Sequence, residues 1–161
     1  MNPSISFRSI TPKDENFLYG LYASTREEEL TQTSWTENEK EIFLKQQFSA
    51  QHLFYMQQFN KAKFDIVLKN NIPIGRLYVD RREDEIRLID IALLPEFRNK
   101  GIGSSLLTEL CDEARKNKKP LRIHVEKNNP ALQLYRRLGF KEINDTGVYY
   151  LMEWTPEQKE K

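Results

Sequence analysis

A chain of 161 residues, 39% hydrophobic and 11% aromatic, is long enough to bury one sizeable core, so we expect a single domain over residues 1–161. Its 25 Lys and Arg residues and 24 Asp and Glu residues leave a net charge of +1, which gives no overall field to recruit nucleic acid or an anionic membrane. One cysteine excludes an internal disulfide framework and favours a reducing compartment, and with only two histidines besides it we expect no metal site.

The N-terminal third predicts one strand followed by two helices. Polar and apolar side chains alternate over residues 4–8, as in a half-buried strand. Thr11, followed by a proline, has the chemistry of a helix start, and Thr36 with Glu39 forms the capping box of a second helix. The segment 24–35 between the helices shows no clean helical period, so we expect an acidic connection there.

The middle of the chain predicts a sheet whose pairing changes direction. Three segments, 64–68, 72–79 and 85–94, are separated by polar turns and predict an antiparallel meander. The last of them is an apolar run that we expect to be buried on both faces. Apolar residues spaced four apart then predict a helix from about Gly103, and 121–125 alternate as another strand. A strand, a crossover helix and a further strand imply a right-handed parallel pair.

The C-terminal part predicts a short helix over 128–138 and two strands, over 140–143 and 148–154. The charged tail, 156–161, is expected to fray. No basic leader precedes the first strand, and no apolar run approaches the roughly eighteen residues of a membrane span. We therefore expect a soluble, cytoplasmic protein.

The loop between the central strand and its helix carries the chemistry of an anion site. Gly101 and Gly103 let the backbone turn sharply and let a ligand approach main-chain N–H groups. The start of a helix has free N–H groups and a partial positive charge, and Arg98 and Lys100 add two cations. The glycine spacing fits neither a nucleoside-triphosphate loop nor a dinucleotide fingerprint. The loop therefore predicts a pyrophosphate carrier of another class.

Two motifs give the chain a family resemblance. The first is RxxGxG over 98–103, which follows DIAL over 90–93; the second is NxxAxxLYRRLGF over 128–140. Together with the element order, they resemble the GNAT superfamily of N-acetyltransferases over residues 7–154. This resemblance implies an α/β (α+β) fold: a GNAT-like domain with a mixed central sheet of about seven strands, an antiparallel N-terminal part, a parallel central pair and about four flanking helices.

The resemblance also implies acetyl-CoA as the co-substrate. In this family the pyrophosphate lies on the glycine loop, here the N–H groups of 99–104, and the pantetheine arm pairs with the central strand at 91–93. The next strand, 121–125, should diverge to admit it. Asn128 or Asn129 is expected to contact a pantetheine amide, with Asn128 favoured by its spacing to Tyr135 and the other asparagine left to cap the helix. The implied cofactor-binding residues are Ile91, Ala92, Leu93, Arg98, Asn99, Lys100, Gly101, Ile102, Gly103, Ser104, Asn128, Asn129 and Tyr135.

Tyr135 takes the position of the family's proton donor to the departing thiolate. An ordinary tyrosine, of pKa near 10, gives its proton to a thiolate, of pKa near 8.5, at a cost of roughly 2 kcal/mol, so a hydrogen bond is as credible as full transfer. The alternative is a core tyrosine at helical spacing. His124 and Glu126 are the candidate bases for the amine, and a structural role is the alternative for His124.

The acceptor is expected to meet acidic and aromatic residues. Glu28, Glu29 and Trp35 lie on the segment that resembles the family's acceptor-binding region, although a run of glutamates is usually a solvated face. Asp90 on the central strand is a further candidate, acting through water, or alternatively a partner of an arginine or the backbone. An alternative function is a non-catalytic acyl-CoA-binding or sensing domain. We expect acetyl-CoA and an amine as partners of a monomer or homodimer, with neither nucleic acid nor membrane.

Overall fold

The computed structural model describes residues 4–156, in which seven strands form one mixed sheet. The strands are β1 Ile5–Ser9, β2 Lys63–Lys69, β3 Ile72–Arg81, β4 Ile86–Leu93, β5 Leu121–Glu126, β6 Lys141–Asp145 and β7 Tyr149–Trp154. The helices within the same residues are α1 Glu15–Leu30, α2 Glu37–Gln58, α3 Ile102–Asn117 and α4 Leu132–Arg137. The strand order is β1-β2-β3-β4-β5-β7-β6, and every neighbouring pair is antiparallel except β4 with β5. The predicted fold class is confirmed.

The helix starts use the caps that the sequence predicts. Thr36 accepts from the N–H of Glu39 at 3.1 Å, and the Glu39 carboxylate accepts from the N–H of Thr36 at 2.8 Å. The N–H of Thr11 donates to Asp14 at 2.8 Å, which closes a single 3-10 turn ahead of α1. These contacts satisfy backbone donors that have no partner within the helix.

The expected acidic connection at 24–35 is wrong over its first half, because α1 continues to Leu30. Ser24 and Thr25 donate their hydroxyls to carbonyls one turn back, at 2.6 Å each, and Arg26 pairs with Glu29 three residues on. The Arg26–Glu29 pair and the buried side chain of Leu30 support this part of the helix, which has no regular apolar stripe. The glutamate run is therefore the end of α1 rather than a loop.

The helices cover the sheet on two faces. The larger core cluster joins the sheet to α3 and α4 and includes Leu107, Ala114 and Trp154, which are almost fully buried. The smaller cluster packs Leu18 and Phe48, of α1 and α2, against Ile66. Among residues 4–156, no helix combines the length and the apolar character that crossing a membrane requires. Apart from Pro156, the tail predicted to fray lies outside the described residues.

The centre of the sheet opens between β4 and β5. Only Ile86 and Arg87 of β4 pair with β5, so the two strands part after their first two residues. The predicted divergence is confirmed. The expectation that β4 is buried on both faces is wrong for its second half, where Asp90, Ile91 and Ala92 are only half-buried. The edge of β4 that faces β5 has no neighbouring strand there, so these residues are partly open to solvent.

Candidate functional site

The glycine loop presents backbone N–H groups to open space. After β4 the chain makes a 3-10 turn over Pro95–Phe97, and then Asn99 and Gly101 adopt positive φ values of 59° and 85°. The carbonyl of Gly101 accepts from the N–H of Ser105 at 3.0 Å, so the N–H groups just before Ser105 belong to the unpaired first turn of α3. A Cβ added at Gly101 would meet nothing within 4 Å. These N–H groups, at the positive end of α3 and open to solvent, fit the pyrophosphate of an acyl-CoA.

The side chain of Arg98 is held by two hydrogen bonds within the protein. Its Nε donates to the carbonyl of Leu93 at 2.9 Å, and its Nη2 donates to the hydroxyl of Ser24 at 3.0 Å. Arg98 therefore ties the loop to the end of β4 and to α1. Lys100 is exposed and forms no ion pair with any residue of the described chain, which leaves it as the cation available at the loop.

The second half of β4 offers a free strand edge. Ile91, Ala92 and Leu93 are paired with β3 on one side, and on the other side β5 has already diverged. Backbone groups along such an edge pair with an extended ligand. The loop and this edge are continuous in the chain, so a ligand with a pyrophosphate and an amide-bearing arm can contact both.

Tyr135 is a buried hydroxyl on α4. Its ring packs edge-on against the buried ring of Phe140 at 5.5 Å between centroids. Burial raises the pKa of Tyr135, and the charge of Asp90 raises it further, so the hydroxyl stays protonated at neutral pH. Within residues 4–156 no group forms a hydrogen bond with this hydroxyl. It is therefore available to donate to a ligand.

Asn128 and Asn129 differ in whether their side chains are already hydrogen-bonded. The carbonyl oxygen of the Asn129 side chain accepts from the N–H of Ala131 at 2.8 Å, which forms an Asx turn ahead of α4 rather than the expected helix cap. The side chain of Asn128 is exposed and has no hydrogen bond within the described chain. Of the two, Asn128 is left for a ligand.

Asp90 is paired with an arginine, the alternative that the sequence left open, in a buried network whose other members were not predicted. Its Oδ2 accepts from the guanidinium of Arg76 and, at 3.3 Å, from the hydroxyl of Tyr55, and Arg76 also donates to Gln51 at 3.0 Å. The side chain of Arg76 is 4% exposed and that of Asp90 is 19% exposed. Burial raises the pKa of Tyr55, which keeps this hydroxyl a donor. The available signal was a single charged residue within each of two apolar runs, 72–79 and 88–94.

The base candidates lie apart from this network. His124 is exposed, and its Nδ1 is 3.4 Å from the guanidinium of Arg87. Partial burial, together with Arg87, lowers the pKa of His124, so the ring is neutral at pH 7. Glu126 is exposed at the end of β5. Neither side chain is hydrogen-bonded to Tyr135 or Asp90.

The acceptor candidates at the end of α1 and in the connection after it lie on the surface. Both oxygens of Glu29 accept from Arg26, at 2.6 and 2.9 Å, and Glu28 is exposed. Trp35 packs edge-on against Phe43 at 5.0 Å. No contact joins Glu28, Glu29 or Trp35 to Asp90 in residues 4–156. Over the same residues, no group of three or more potential metal ligands comes together.

Comparisons with known proteins show what the chain is similar to. The profile described as "Acetyltransferase (GNAT) family" matches residues 22–140, well over half of the chain. A [ribosomal protein bS18]-alanine N-acetyltransferase of Haemophilus influenzae is 33% identical over 85 residues, 52% of this chain and 58% of that protein. An N-alpha-acetyltransferase of Sulfurisphaera tokodaii is 33% identical over 66 residues, 39% of this chain and 40% of that protein. The chain thus spans about half the length of these curated relatives.

Solved structures share the fold over nearly the whole chain. The PaiA N-acetyltransferase of Thermoplasma acidophilum, in complex with coenzyme A, superposes with a TM-score of 0.70 at 22% identity, covering 94% of this chain and 99% of that one. The ribosomal-protein-S18-alanine N-acetyltransferase of Escherichia coli gives 0.62 at 21% identity, covering 94% and 93%. At these identities the likeness shows the fold alone.

Proposed function

Because the chain belongs to the GNAT acetyltransferase family, we propose that it transfers the acetyl group of acetyl-CoA to a primary amine by direct attack in a ternary complex. The observation that carries the proposal is the free edge of β4, which runs into the glycine loop and at Ile91 packs on the core cluster that contains the protonated, unpartnered Tyr135. We further propose a cytoplasmic monomer or homodimer.

Each part of acetyl-CoA has a matching group in the chain. The pyrophosphate is assigned to the backbone N–H groups of 99–104, with Lys100 as the nearby cation. The pantetheine arm is assigned to the free edge of β4, and the side chain of Asn128 to one of its amides. Arg98 is assigned a positioning role, since it fastens the loop to Leu93 and Ser24.

Acetyl-CoA supplies an activated thioester, and the chain supplies electrostatic stabilisation. Outward N–H groups of β4 donate to the carbonyl oxygen and stabilise the negative charge that develops there. Tyr135 donates a hydrogen bond to the departing sulfur. Full transfer of its proton to a thiolate is uphill by roughly 2 kcal/mol for an ordinary tyrosine, and burial of Tyr135 widens that gap. Tyr135 therefore acts as a hydrogen-bond donor to the thiolate.

An α-amine is the acceptor class that the site supports best. An α-amine has a pKa of about 7.7 to 8.0, so roughly a tenth of it is neutral at pH 7. A lysine amine has a pKa of about 10.4, so its neutral fraction at pH 7 is far smaller. Two relatives carry names that specify such acceptors, an alanine of a ribosomal protein and an N-alpha group. His124, neutral at pH 7, and Glu126 are the proposed bases where the acceptor has a higher pKa.

Two matched glycine variants test the cofactor site. Gly101 and Gly147 have positive φ values of 85° and 97°, and a Cβ added at either glycine meets nothing within 4 Å. An aspartate should therefore introduce similar backbone strain at the two positions. At a hundredfold excess over Kd, acetyl-CoA should stabilise the wild type by about 2.7 kcal/mol, or about 5 to 10 °C in Tm. We expect Gly147→Asp to keep this shift and Gly101→Asp to lose it.

The thermal shifts test acetyl-CoA binding, and turnover on amines tests acetyl transfer. Equal shifts in both variants would contradict the assignment of the pyrophosphate to the loop, and the absence of any shift in the wild type at millimolar acetyl-CoA would contradict the proposal. A shift without turnover on any amine tested, whether an N-terminal peptide, a blocked lysine or a polyamine, would instead support a non-catalytic acyl-CoA-binding domain.

A further inference from the structure

The helix α2 uses little of its surface to pack against the rest of the protein. All 22 of its residues are described, and Phe48 is the one among them that is buried. A helix in a folded protein normally owes its stability to an apolar face that packs on its neighbours, because an isolated helix is marginal in water. In α2 that contact is made by Phe48 and the half-buried Leu44, which join the smaller core cluster. More than half of the residues of α2 are exposed.

The exposed side of α2 is apolar and uncharged. Ile42, Leu53 and Phe54 are 52%, 57% and 53% exposed, which is unusual for such large apolar side chains. Residues three or four apart share one side of a helix. The exposed residues that follow this spacing form what we call the outward face of α2: Ile42, Gln46, Ala50, Leu53, Phe54 and Gln57. Residues 46–60 contain no Asp, Glu, Lys or Arg, although 30% of the chain is charged. An apolar, uncharged surface of this kind is typical of the centre of an interface.

A second group of exposed apolar side chains lies on β6 and β7, but it does not form a comparable face. Ile143, Val148 and Tyr149 are 48%, 63% and 42% exposed. Ile143 is flanked by charged and polar residues of β6 and is itself the extra residue of a β-bulge, since Glu142 and Asn144 pair with consecutive residues of β7. Bulges and charges on an edge strand oppose pairing with another chain. The outward face of α2 is therefore the stronger candidate for an interface.

The charges at the two ends of the outward face indicate what covers it. Near the start of α2, lysines one turn away pair with Glu37 and Glu41 at 3.2 and 2.8 Å, which leaves Glu39 without an ion pair in residues 4–156. Just after the helix, Lys61 is exposed and has no ion pair within the same residues. Helices that lie on anionic membranes carry Lys and Arg along their polar side, and α2 does not. A face that is acidic at one end and basic at the other is instead complementary to its own reversed copy.

We propose that two copies of this chain pair through the outward faces of α2, packed antiparallel about a two-fold axis at Ala50. Ala50 lies at the middle of the face and has its smallest side chain, so the helices can approach closely where they cross. In this register Glu39 of each copy lies level with Lys61 of the other, and Gln46 lies level with Phe54. Both copies use the same surface, as in an isologous dimer.

Burial of apolar surface drives this pairing, and the terminal charges set its direction. Ile42, Leu53 and Phe54 of both copies leave water together when the faces meet. The inference goes beyond the proposed function and does not depend on it, because the glycine loop and the free edge of β4 include no residue of the outward face.

The oligomeric state of the full chain in solution tests the pairing. Sedimentation equilibrium from micromolar to millimolar protein should show a reversible association that approaches twice the 19.2 kDa mass of one chain. Ile42→Glu introduces a charge into the outward face. Ile143→Glu introduces the same charge at an isoleucine of similar exposure on β6 and is the matched control. We expect Ile42→Glu to weaken association by about 10- to 100-fold, since the apolar contact is lost twice in each dimer, and Ile143→Glu to associate like the wild type.

An exchange of charges tests the antiparallel register. Lys61→Glu brings like charges together at both ends of the dimer and should weaken association by about 2- to 30-fold, as for two exposed ion pairs. Adding Glu39→Lys restores opposite charges, so the double variant should associate more tightly than either single variant. All of these side chains are exposed, so the Tm of each dilute variant should stay close to that of the wild type.

Four results would overturn the inference. A wild type that stays monomeric up to millimolar concentration would refute the pairing, and if it then sedimented with phosphatidylglycerol vesicles the face would be a membrane surface instead. A dimer weakened by Ile143→Glu and not by Ile42→Glu would place the interface on β6 and β7. A dimer whose charge exchange gives no rescue would refute the register at Ala50. Should Ile42→Glu fail to fold, unchanged association of Lys61→Glu, on the turn after α2, would refute the pairing in its place.

Discussion

Replacing Gly75 with alanine should push the backbone of β4 away from β3 and so distort the proposed acetyl-CoA site. Gly75 lies on β3 opposite Leu93, and a Cβ added there would be 2.3 Å from the carbonyl oxygen of Ala92 and 2.8 Å from Cδ2 of Leu93. Real Cβ contacts do not fall below 3.0 Å, so β3 and β4 would have to separate by roughly 0.7 Å. The displaced segment is the free edge of β4 assigned to the pantetheine arm.

The size of the effect follows from the kind of contact. Overpacking against a backbone atom typically costs about 1 to 3 kcal/mol, which in a domain of this length lowers Tm by about 2 to 10 °C. Affinity for acetyl-CoA should fall as well, because Ala92 and Leu93 move. Thermal unfolding would measure the first effect, and calorimetric titration with acetyl-CoA the second.

Gly20→Ala is the matched control. Gly20 lies within α1, where an added Cβ meets nothing within 4 Å, so alanine should stabilise the helix by up to about 1 kcal/mol and leave acetyl-CoA binding unchanged. A Gly75→Ala protein with the stability and the acetyl-CoA affinity of the wild type would refute the reasoning about the β3–β4 approach.

The remaining predictions concern stability and the two asparagines. Hydrogen bonds from Arg8 lower the pKa of Asp14 to about 2, so the stability that Asp14 contributes is present above the unfolded pKa near 4 and is lost as pH falls toward 2. Asp14→Asn should therefore lower the free energy of unfolding by about 1 to 2 kcal/mol at pH 7, with a difference that closes in acid; urea titrations giving the same difference at pH 2.5 and pH 7 would contradict this. Asn129→Ala should cost about 1 kcal/mol of stability through the loss of its hydrogen bond with the N–H of Ala131, and Asn128→Ala should weaken acetyl-CoA binding without changing stability. Equal acetyl-CoA affinity in the wild type and Asn128→Ala would remove Asn128 from the site.

Local chemistry made much of the fold predictable. The capping box at Thr36, the alternation of the strands and the turn residues between them act over a few positions, so the sequence alone is sufficient to place these elements. The glycine loop is local in the same sense, because the start of α3 and the positive φ of Gly101 follow from neighbouring residues. The opening between β4 and β5 was predicted from the family resemblance, since divergence of two strands leaves no local pattern.

What escaped prediction depends on distant partners. Arg98 was expected at the phosphate, but its position is set by Ser24, 74 residues away in sequence. The partner of Asp90 was left open because Arg76 and Tyr55 come from two other elements. The sequence did contain one usable signal. Core residues of a strand are normally two positions apart, but Leu88 and Ile91 are three apart. This spacing indicates a β-bulge, which the pairing of β4 with β3 shows at Ile89 and which places Asp90 on the opposite face of the sheet.

The continuation of α1 to Leu30 was not predicted either, because its residues show no regular apolar period. Its second half has an ion pair and the buried Leu30 but no regular apolar stripe, and its glutamates are exposed. A period-based prediction therefore ended the helix early. The consequence for function is that Glu28 and Glu29 belong to a rigid element, so any contact they make with an acceptor would come from the end of a helix.

The most direct test of acetyl transfer is amine-dependent release of coenzyme A. The wild type, incubated with acetyl-CoA, is assayed for free thiol with and without the tetrapeptide that begins with alanine, alongside Tyr135→Phe. We expect release that requires the peptide, and a kcat about 10- to 100-fold lower in Tyr135→Phe with unchanged affinity for acetyl-CoA, since the variant loses a hydrogen bond to a charged leaving group. A wild type that binds acetyl-CoA and releases no more thiol with the peptide, a blocked lysine or a polyamine than without them would contradict the account.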